Sequence, residues 1–167
     1  MLSGELITLR PATVDDVATL AAIRSEPAVL ARWRGEDLVA EIRQSIDDHE
    51  VVLYTIEVEG ETIGAIQSYE EPDPDYRHAG LDIYLASAFH GRGFGSDAVR
   101  TLVRHLILTE GHHRVVIDPA ADNRAAIAAY RKVGFRPVGT MRQYERGPDG
   151  TWHDGLLMEL LAKDFES

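Results

Sequence analysis

The segment His90-Gly91-Arg92-Gly93-Phe94-Gly95 carries the strongest chemical signal in the chain. Glycine has no Cβ, so glycines at two-residue spacing let neighbouring backbone N–H groups converge on one anion. A helical pattern starts at Phe94 and takes in Ser96, and a helix N-terminus adds unpaired N–H groups and a favourable dipole. Arg92 brings a positive charge into a chain of formal net charge -11. The ligand suited to such a cradle is a pyrophosphate, although a simple turn uses the same residues. Two familiar phosphate loops fit worse. A P-loop needs Gly-Lys and then Ser or Thr, whereas Phe94-Gly95-Ser96 follows Gly93. A dinucleotide fold places its glycines near the start of a parallel α/β chain, whereas hairpin-forming segments come first here.

Other residues invite proton chemistry. Along Leu81-Asp82-Ile83-Tyr84-Leu85, alternation puts Leu81, Ile83 and Leu85 on one strand face and Asp82 and Tyr84 on the other. Aspartate is a poor strand former, so Asp82 stands out as a proton acceptor, with a solvated carboxylate as the plainer alternative. Tyr130 lies at helical spacing, where an aromatic either packs or presents its hydroxyl. Trp33 either covers a ligand ring or anchors a loop. Glu70, Glu71, Asp73, Asp75, Asp118 and Asp154 could line an acidic cleft, and the 70–75 run reads equally as a solvated loop. His153 beside Asp154 is open between contact and surface pair. His112-His113 reads as a solvated turn, and no metal site is expected.

Composition removes several classes. There are no cysteines, so disulfides, thiolate metal sites and a cysteine acyl-enzyme are excluded. No Gly-x-Ser-x-Gly elbow is present. The 17 Lys+Arg against 28 Asp+Glu leave no basic face for nucleic acid, and such a balance either draws in a cationic substrate or serves solubility alone. No apolar run spans a bilayer, and Met1-Leu2-Ser3-Gly4-Glu5 is no signal peptide, so a cytoplasmic protein without a membrane partner is expected. A length of 167 residues without linkers or repeats is expected to form one domain, 1–167.

The elements that must position these residues alternate between the two periods. Leu6–Arg10 reads as a strand ending at Pro11, and Thr13–Arg24 as a helix capped by Thr13 and stopped by Pro27. Ala31–Glu36 reads as loop and Leu38–Asp48 as a helix. Val51–Val58 and Thr62–Tyr69 flank Glu59-Gly60-Glu61 as a hairpin. Glu70–His78, with two prolines, is expected to be a loop. A strand at Ala79–Leu85, a helix at Phe94–Leu108 and a strand at Arg114–Ile117 make one β-α-β crossover. A helix at Ala125–Val133, capped by Asp122 and stopped by Gly134, precedes strands at Arg136–Tyr144 and Gly155–Leu161 around Gly147-Pro148-Asp149-Gly150. The expected fold class is mixed α/β (α+β) with a mostly antiparallel sheet.

The glycine segment resembles the acetyl-CoA signature of the GNAT superfamily, Gln/Arg-x-x-Gly-x-Gly/Ala, with Gly93 and Gly95 on the small positions and His90 where Gln or Arg is usual. Ile7-Thr8-Leu9-Arg10-Pro11-Ala12 looks like that family's first strand. The run from Asn123 to Phe135 resembles its second motif, Asn-x-x-Ala-x-x-x-Tyr-x-x-x-Gly-Phe. The resemblance implies an N-acetyltransferase with a splayed central sheet flanked by helices, acetyl-CoA as cofactor and coenzyme A as product. It implies that the pantetheine arm lies between the strands 79–85 and 114–117. Cofactor contacts are then expected at Ile83, Tyr84, Leu85, His90, Gly91, Arg92, Gly93, Phe94, Gly95, Ser96, Asn123 and Tyr130. Acetyl transfer to an amine needs a base, donors for the carbonyl oxygen and a proton for the departing thiolate. Asp82 is the expected base, Tyr130 the acid, and a backbone N–H near Ile83 to Leu85 the oxygen's donor.

A narrower likeness, from Trp33 to Gly139, is to aminoglycoside 6'-N-acetyltransferases. It rests on Trp33-Arg34-Gly35-Glu36, Gln67-Ser68-Tyr69, Gly80-Leu81-Asp82 and Asp118-Pro119. It implies a polycationic amine substrate, a resistance activity, and substrate contacts at Trp33, Gln67, Tyr69, Glu70, Asp82, Asp118 and Asp154. Met141–Trp152 departs from that group in length, which leaves the outer wall of the substrate pocket open. Acetylation of protein N-termini, as by ribosomal-protein acetyltransferases, and a non-catalytic acyl-CoA-binding module are the competing classes. A monomer or a homodimer suits either.

Overall fold

The structure is a computed structural model that describes residues 1–166. Its elements in chain order are β1 (Leu2–Ser3), β2 (Thr8–Pro11), α1 (Val17–Arg24), α2 (Pro27–Leu30), α3 (Leu38–Asp47), β3 (Val51–Val58), β4 (Glu61–Glu71), β5 (His78–Leu85), α4 (Phe94–Leu108), β6 (Arg114–Ile117), α5 (Arg124–Val133), β7 (Arg136–Arg146) and β8 (Trp152–Leu161). The mixed α/β class holds. The strands form one sheet in the order β1-β2-β3-β4-β5-β6-β8-β7, antiparallel except where β5 meets β6.

That exception shapes the molecule. β5 and β6 pair only at Ala79 with Val115 and Gly80 with Val116. From Leu81 onward β5 stays with β4, through Ser68–Leu81, Ile66–Ile83 and Gly64–Leu85, while β6 turns to β8. The sheet therefore splays open beside residues 81–85. A parallel pair needs a crossover, and α4 supplies it across one sheet face. Leu102, Val103 and Leu106 of α4 pack there with Leu81, Val115, Met158 and Leu160. On the opposite face Val17, Leu20 and Ile23 of α1 and Ile42 of α3 pack on Leu53, Ala65 and Tyr84. Asp82 and Tyr84 thus do point away from Leu81, Ile83 and Leu85.

Several local expectations are corrected. Pro27 does not merely end a helix; it opens α2 from the first position, where its missing N–H costs nothing. Val14–Asp16 forms a 3-10 turn before α1, with Thr13 as its N-cap. There Asp16 is buried, accepting from Arg10 Nη2 at 2.7 Å and from the Thr13 N–H at 2.7 Å. The cap of α5 is Asn123, whose Oδ1 accepts from the Ala126 N–H at 3.3 Å, and not Asp122. Glu70 and Glu71 belong to β4, paired with Ala79 and His78, so the loop begins only at residue 72. His112 is no solvated turn residue: it is 1 % exposed.

Candidate active site

Two cavities open on either side of the splay. The first, of about 360 Å³, is lined by Ile83, Tyr84, Leu85, His90, Gly91, Gly93, Gly95, Ser96, Asn123 and Tyr130, with α2 and α5 as walls. Gly91 and Gly93 hold φ of +69° and +88°, a region where side chains are disfavoured, and Gly93 is the N-cap of the 15-residue helix α4. A Cβ on Gly95 would come within 3.3 Å of Leu85 Cδ1. His90 Nε2 donates to the Leu85 carbonyl at 2.8 Å and so folds the loop back on the end of β5. These features make a cradle of backbone N–H groups at a helix N-terminus, suited to phosphate oxygens.

The gap edge of β5 keeps its hydrogen-bonding groups free of the sheet. Ala86 N–H donates to the carbonyl of Ile63 in β4 at 2.8 Å, which fixes the alternation: even-numbered residues face β4 and odd-numbered ones face the gap. The Ile83 carbonyl accepts from Trp33 Nε1 at 3.1 Å, as the Leu85 carbonyl accepts from His90. By the same alternation, the N–H groups of Ile83 and Leu85 face into the gap.

The second cavity, of about 480 Å³, is lined by Trp33, Gln67, Tyr69, Asp82, Asp118, Asn123, Tyr130 and Tyr144, among others. It shares Arg32, Trp33, Ile83, Asn123 and Tyr130 with the first, so the two meet at the splay. Gln67 Nε2 donates to Asp82 Oδ2 at 3.2 Å. Burial pushes the Asp82 carboxyl up to about 6, Gln67 offsets part of that, and the Asp118 charge adds to it. Burial raises the Tyr130 hydroxyl well above its ordinary value, with the charges of Asp82 and Asp118 adding to it. Asp82 and Asp118 lie partly buried inside, while Arg32, Arg34 and Arg146 are exposed at the rim. Arg32 is paired there with Asp122 at 2.6 Å. The cavity thus holds these two carboxylates inward of its arginines.

Residues 7–136 match the acetyltransferase (GNAT) domain family. The chain belongs to the GNAT acetyltransferases. It is 32% identical over 168 residues to aminoglycoside N(6')-acetyltransferase type 1 of Klebsiella pneumoniae, covering 89% of this chain and 81% of that one. Spermidine N(1)-acetyltransferase of Escherichia coli (strain K12) is 22% identical, over 99% of this chain and 91% of its own. The solved structure of AAC(6')-Ib in complex with paromomycin and acetyl-CoA superposes with a TM-score of 0.79 at 28% identity, covering 96% of each chain. The protein is thus an acetyl-CoA-dependent N-acetyltransferase of the GNAT type, and the glycine cradle and splay are the features of this chain that fit the coenzyme.

Of the residues expected from sequence to serve a GNAT site, most converge. Ile83, Tyr84, Leu85, His90, Gly91, Gly93, Gly95, Ser96, Asn123 and Tyr130 line the cradle cavity, and Trp33, Gln67, Tyr69, Asp82 and Asp118 line the other. Four do not. Phe94 is buried in the core, and Arg92 stacks over Phe89 and Phe94 at 5.4 and 5.0 Å. Glu70 pairs with Arg77 at 2.8 Å, outside the cavity lining. Asp154 accepts from the Gln143 N–H at 2.8 Å and is likewise outside it. Tyr144, Glu145 and Pro148, which no motif or spacing marks, close the outer wall from the hairpin of β7 and β8.

Proposed function

We propose that this N-acetyltransferase transfers the acetyl group directly to a primary amine of a polycationic acceptor, the 6'-amino group of an aminoglycoside in particular. The observation that carries the proposal is the pair Asp82 and Asp118 in a cavity of about 480 Å³ that meets the coenzyme cavity at Trp33, Ile83, Asn123 and Tyr130. That volume suits a drug-sized ligand. Similarity to an aminoglycoside acetyltransferase over most of both chains supports the same substrate class.

When bound, acetyl-CoA supplies the acetyl thioester. Gly91, Gly93 and Gly95 hold its diphosphate through backbone N–H groups and the dipole of α4. Asp118 and Gln67 orient the acceptor, and Asp82 takes the ammonium proton so that the nitrogen attacks as a neutral amine. A carboxyl near 6 is ionised at neutral pH and still basic enough for that step. The N–H groups of Ile83 and Leu85 stabilise charge building on the carbonyl oxygen. Tyr130, whose raised pKa keeps it protonated, donates its proton to the departing sulfur.

The test is release of free coenzyme A thiol from acetyl-CoA on addition of kanamycin or tobramycin, beside spermidine and short peptides. Turnover with the two antibiotics is expected. Turnover confined to spermidine would move the assignment to linear polyamines, and confined to peptides, to protein N-termini. Coenzyme binding without turnover of any amine would leave only a binding module.

A further inference from the structure

The hairpin wall makes one contact with the site chemistry. Tyr144 donates its hydroxyl proton to Asp118 Oδ2 at 2.5 Å, across 26 residues of sequence. Its ring reaches there because β7 is irregular. The β7–β8 register shifts between Met141 and Glu145, and Gln143 holds φ of +50°, in the left-handed region. A non-glycine residue in that region is strained, and the conformation persists only where neighbours enforce it. Asp154 enforces it, since its Oδ1 accepts the Gln143 N–H at 2.8 Å. Gly155 leaves the space: a Cβ there would stand 2.8 Å from Tyr144 Cδ1 and 3.2 Å from Met141 Cε. The bulge, the carboxylate and the missing side chain all serve to lay one phenol over Asp118.

We infer that Tyr144 is a specificity-determining residue, its hydroxyl holding the place on Asp118 that an acceptor ammonium takes on binding, and that Asp154 and Gly155 are the residues that position it. This rests on the reading of the cavity as an amine site. A neutral O–H donor satisfies Asp118 in the free protein, and a charged N–H donor replaces it, because an ammonium adds an attraction between opposite charges that a neutral phenol lacks. Acceptors able to place an ammonium at Asp118 displace the phenol, and neutral or anionic ones leave it in place. Asp154 therefore acts through Tyr144 and touches no substrate.

Calorimetric titration of the protein with kanamycin and with spermine, which needs no turnover, tests this on four proteins: wild type, Tyr144→Phe, Asp154→Ala and the double variant. Removing the competing hydroxyl should tighten cation binding by roughly 3- to 10-fold in Tyr144→Phe. It should lower KM for the turned-over amine by a larger factor than it changes kcat. Asp154→Ala should shift binding in the same direction, and the double variant should bind no tighter than Tyr144→Phe alone, because the two act through one contact. Equal or weaker binding in Tyr144→Phe overturns the exchange. Weakened binding in Asp154→Ala alone would make Asp154 a direct substrate contact and overturn its positioning role. Binding of neither amine to the wild type would reject the amine site itself. Circular dichroism of each variant reports whether it has kept its fold.

Discussion

Gln67 and Asp82 face each other across adjacent strands, with Gln67 Nε2 donating to Asp82 Oδ2 at 3.2 Å. The bond favours the ionised carboxylate, and burial opposes it more strongly, leaving the group near 6. With Asp82 as the base, kcat/KM for the amine should rise with pH through about 6. Gln67→Leu removes a lowering contact, so that limb should move to higher pH. A pH profile that stays flat across it would remove Asp82 from the mechanism.

The same shift has a stability consequence. The folded pKa of Asp82 lies above its unfolded value of 3.8. Its contribution is therefore fully present below about 4 and is lost as pH rises through about 6. Asp82→Asn should then stabilise the protein by about 2–3 kcal/mol at pH 8, with the advantage shrinking as pH falls from 6 toward 4. Turnover at pH 8 should drop by about 100-fold or more. Urea unfolding at several pH values, beside the thiol-release assay, separates gain of stability from loss of catalysis.

Tyr130→Phe keeps the ring, which packs against Phe135 at 6.3 Å between centroids, and removes only the hydroxyl. A general acid is worth roughly 100-fold or more in rate, so kcat should fall by about that factor. The dissociation constant for acetyl-CoA should change by less than about threefold, since the proposed grip on the diphosphate lies with Gly91, Gly93 and Gly95 and not with Tyr130. Equal turnover in the two proteins would strip Tyr130 of its acid role.

Much of this site was legible in the sequence, and the reason is local. The cradle depends on consecutive backbone groups of residues 91–95, and the faces of β5 on strict alternation, so spacing alone reports both. Tyr130 and Asn123 are implied by the resemblance of the run from Asn123 to Phe135 to the GNAT motif. What spacing could not report are contacts set by distant elements. Nothing near Tyr144 announces Asp118, because a bulge decides where the phenol points. The pairing of Glu70 with Arg77, outside the cavity lining, was not legible because it is fixed only once β4 and β5 are paired. The stacking of Arg92 over the rings of Phe89 and Phe94 likewise depends on where the loop and the helix meet. Trp33 proves to be both anchor and lining, with its indole N–H committed to Ile83 and its ring 4.8 Å from Tyr84.

The cradle makes its own prediction. Gly93 sits at φ +88°, and alanine there should cost about 1–2 kcal/mol in the left-handed region. Relief of that strain would rotate the first N–H groups of α4 away from the anion. Gly93→Ala should therefore raise KM for acetyl-CoA by roughly tenfold and leave KM for the amine nearly unchanged. An equal rise in both constants would point to general unfolding instead.

Asp97 links the N-terminal segment to the same helix. Its carboxylate accepts three backbone N–H groups, from Glu5 at 3.1 Å, Leu6 at 2.7 Å and Ile7 at 3.1 Å. Gly4 allows the approach, since a Cβ there would stand 2.4 Å from Asp97 Oδ2. The negative charge also lies in the first turn of α4, where the helix dipole favours it. Asp97→Ala should cost about 2–4 kcal/mol, because it leaves the buried Ile7 donor and two part-buried ones without a partner as well as removing a charged acceptor. Asp97→Asn keeps one acceptor oxygen and should cost less than half as much. Hydrogen exchange should show residues 5–7 losing protection in Asp97→Ala before the rest of the sheet does, since only their donors lose a partner. Uniform loss of protection across β3 and β4 would instead make Asp97 a determinant of global stability.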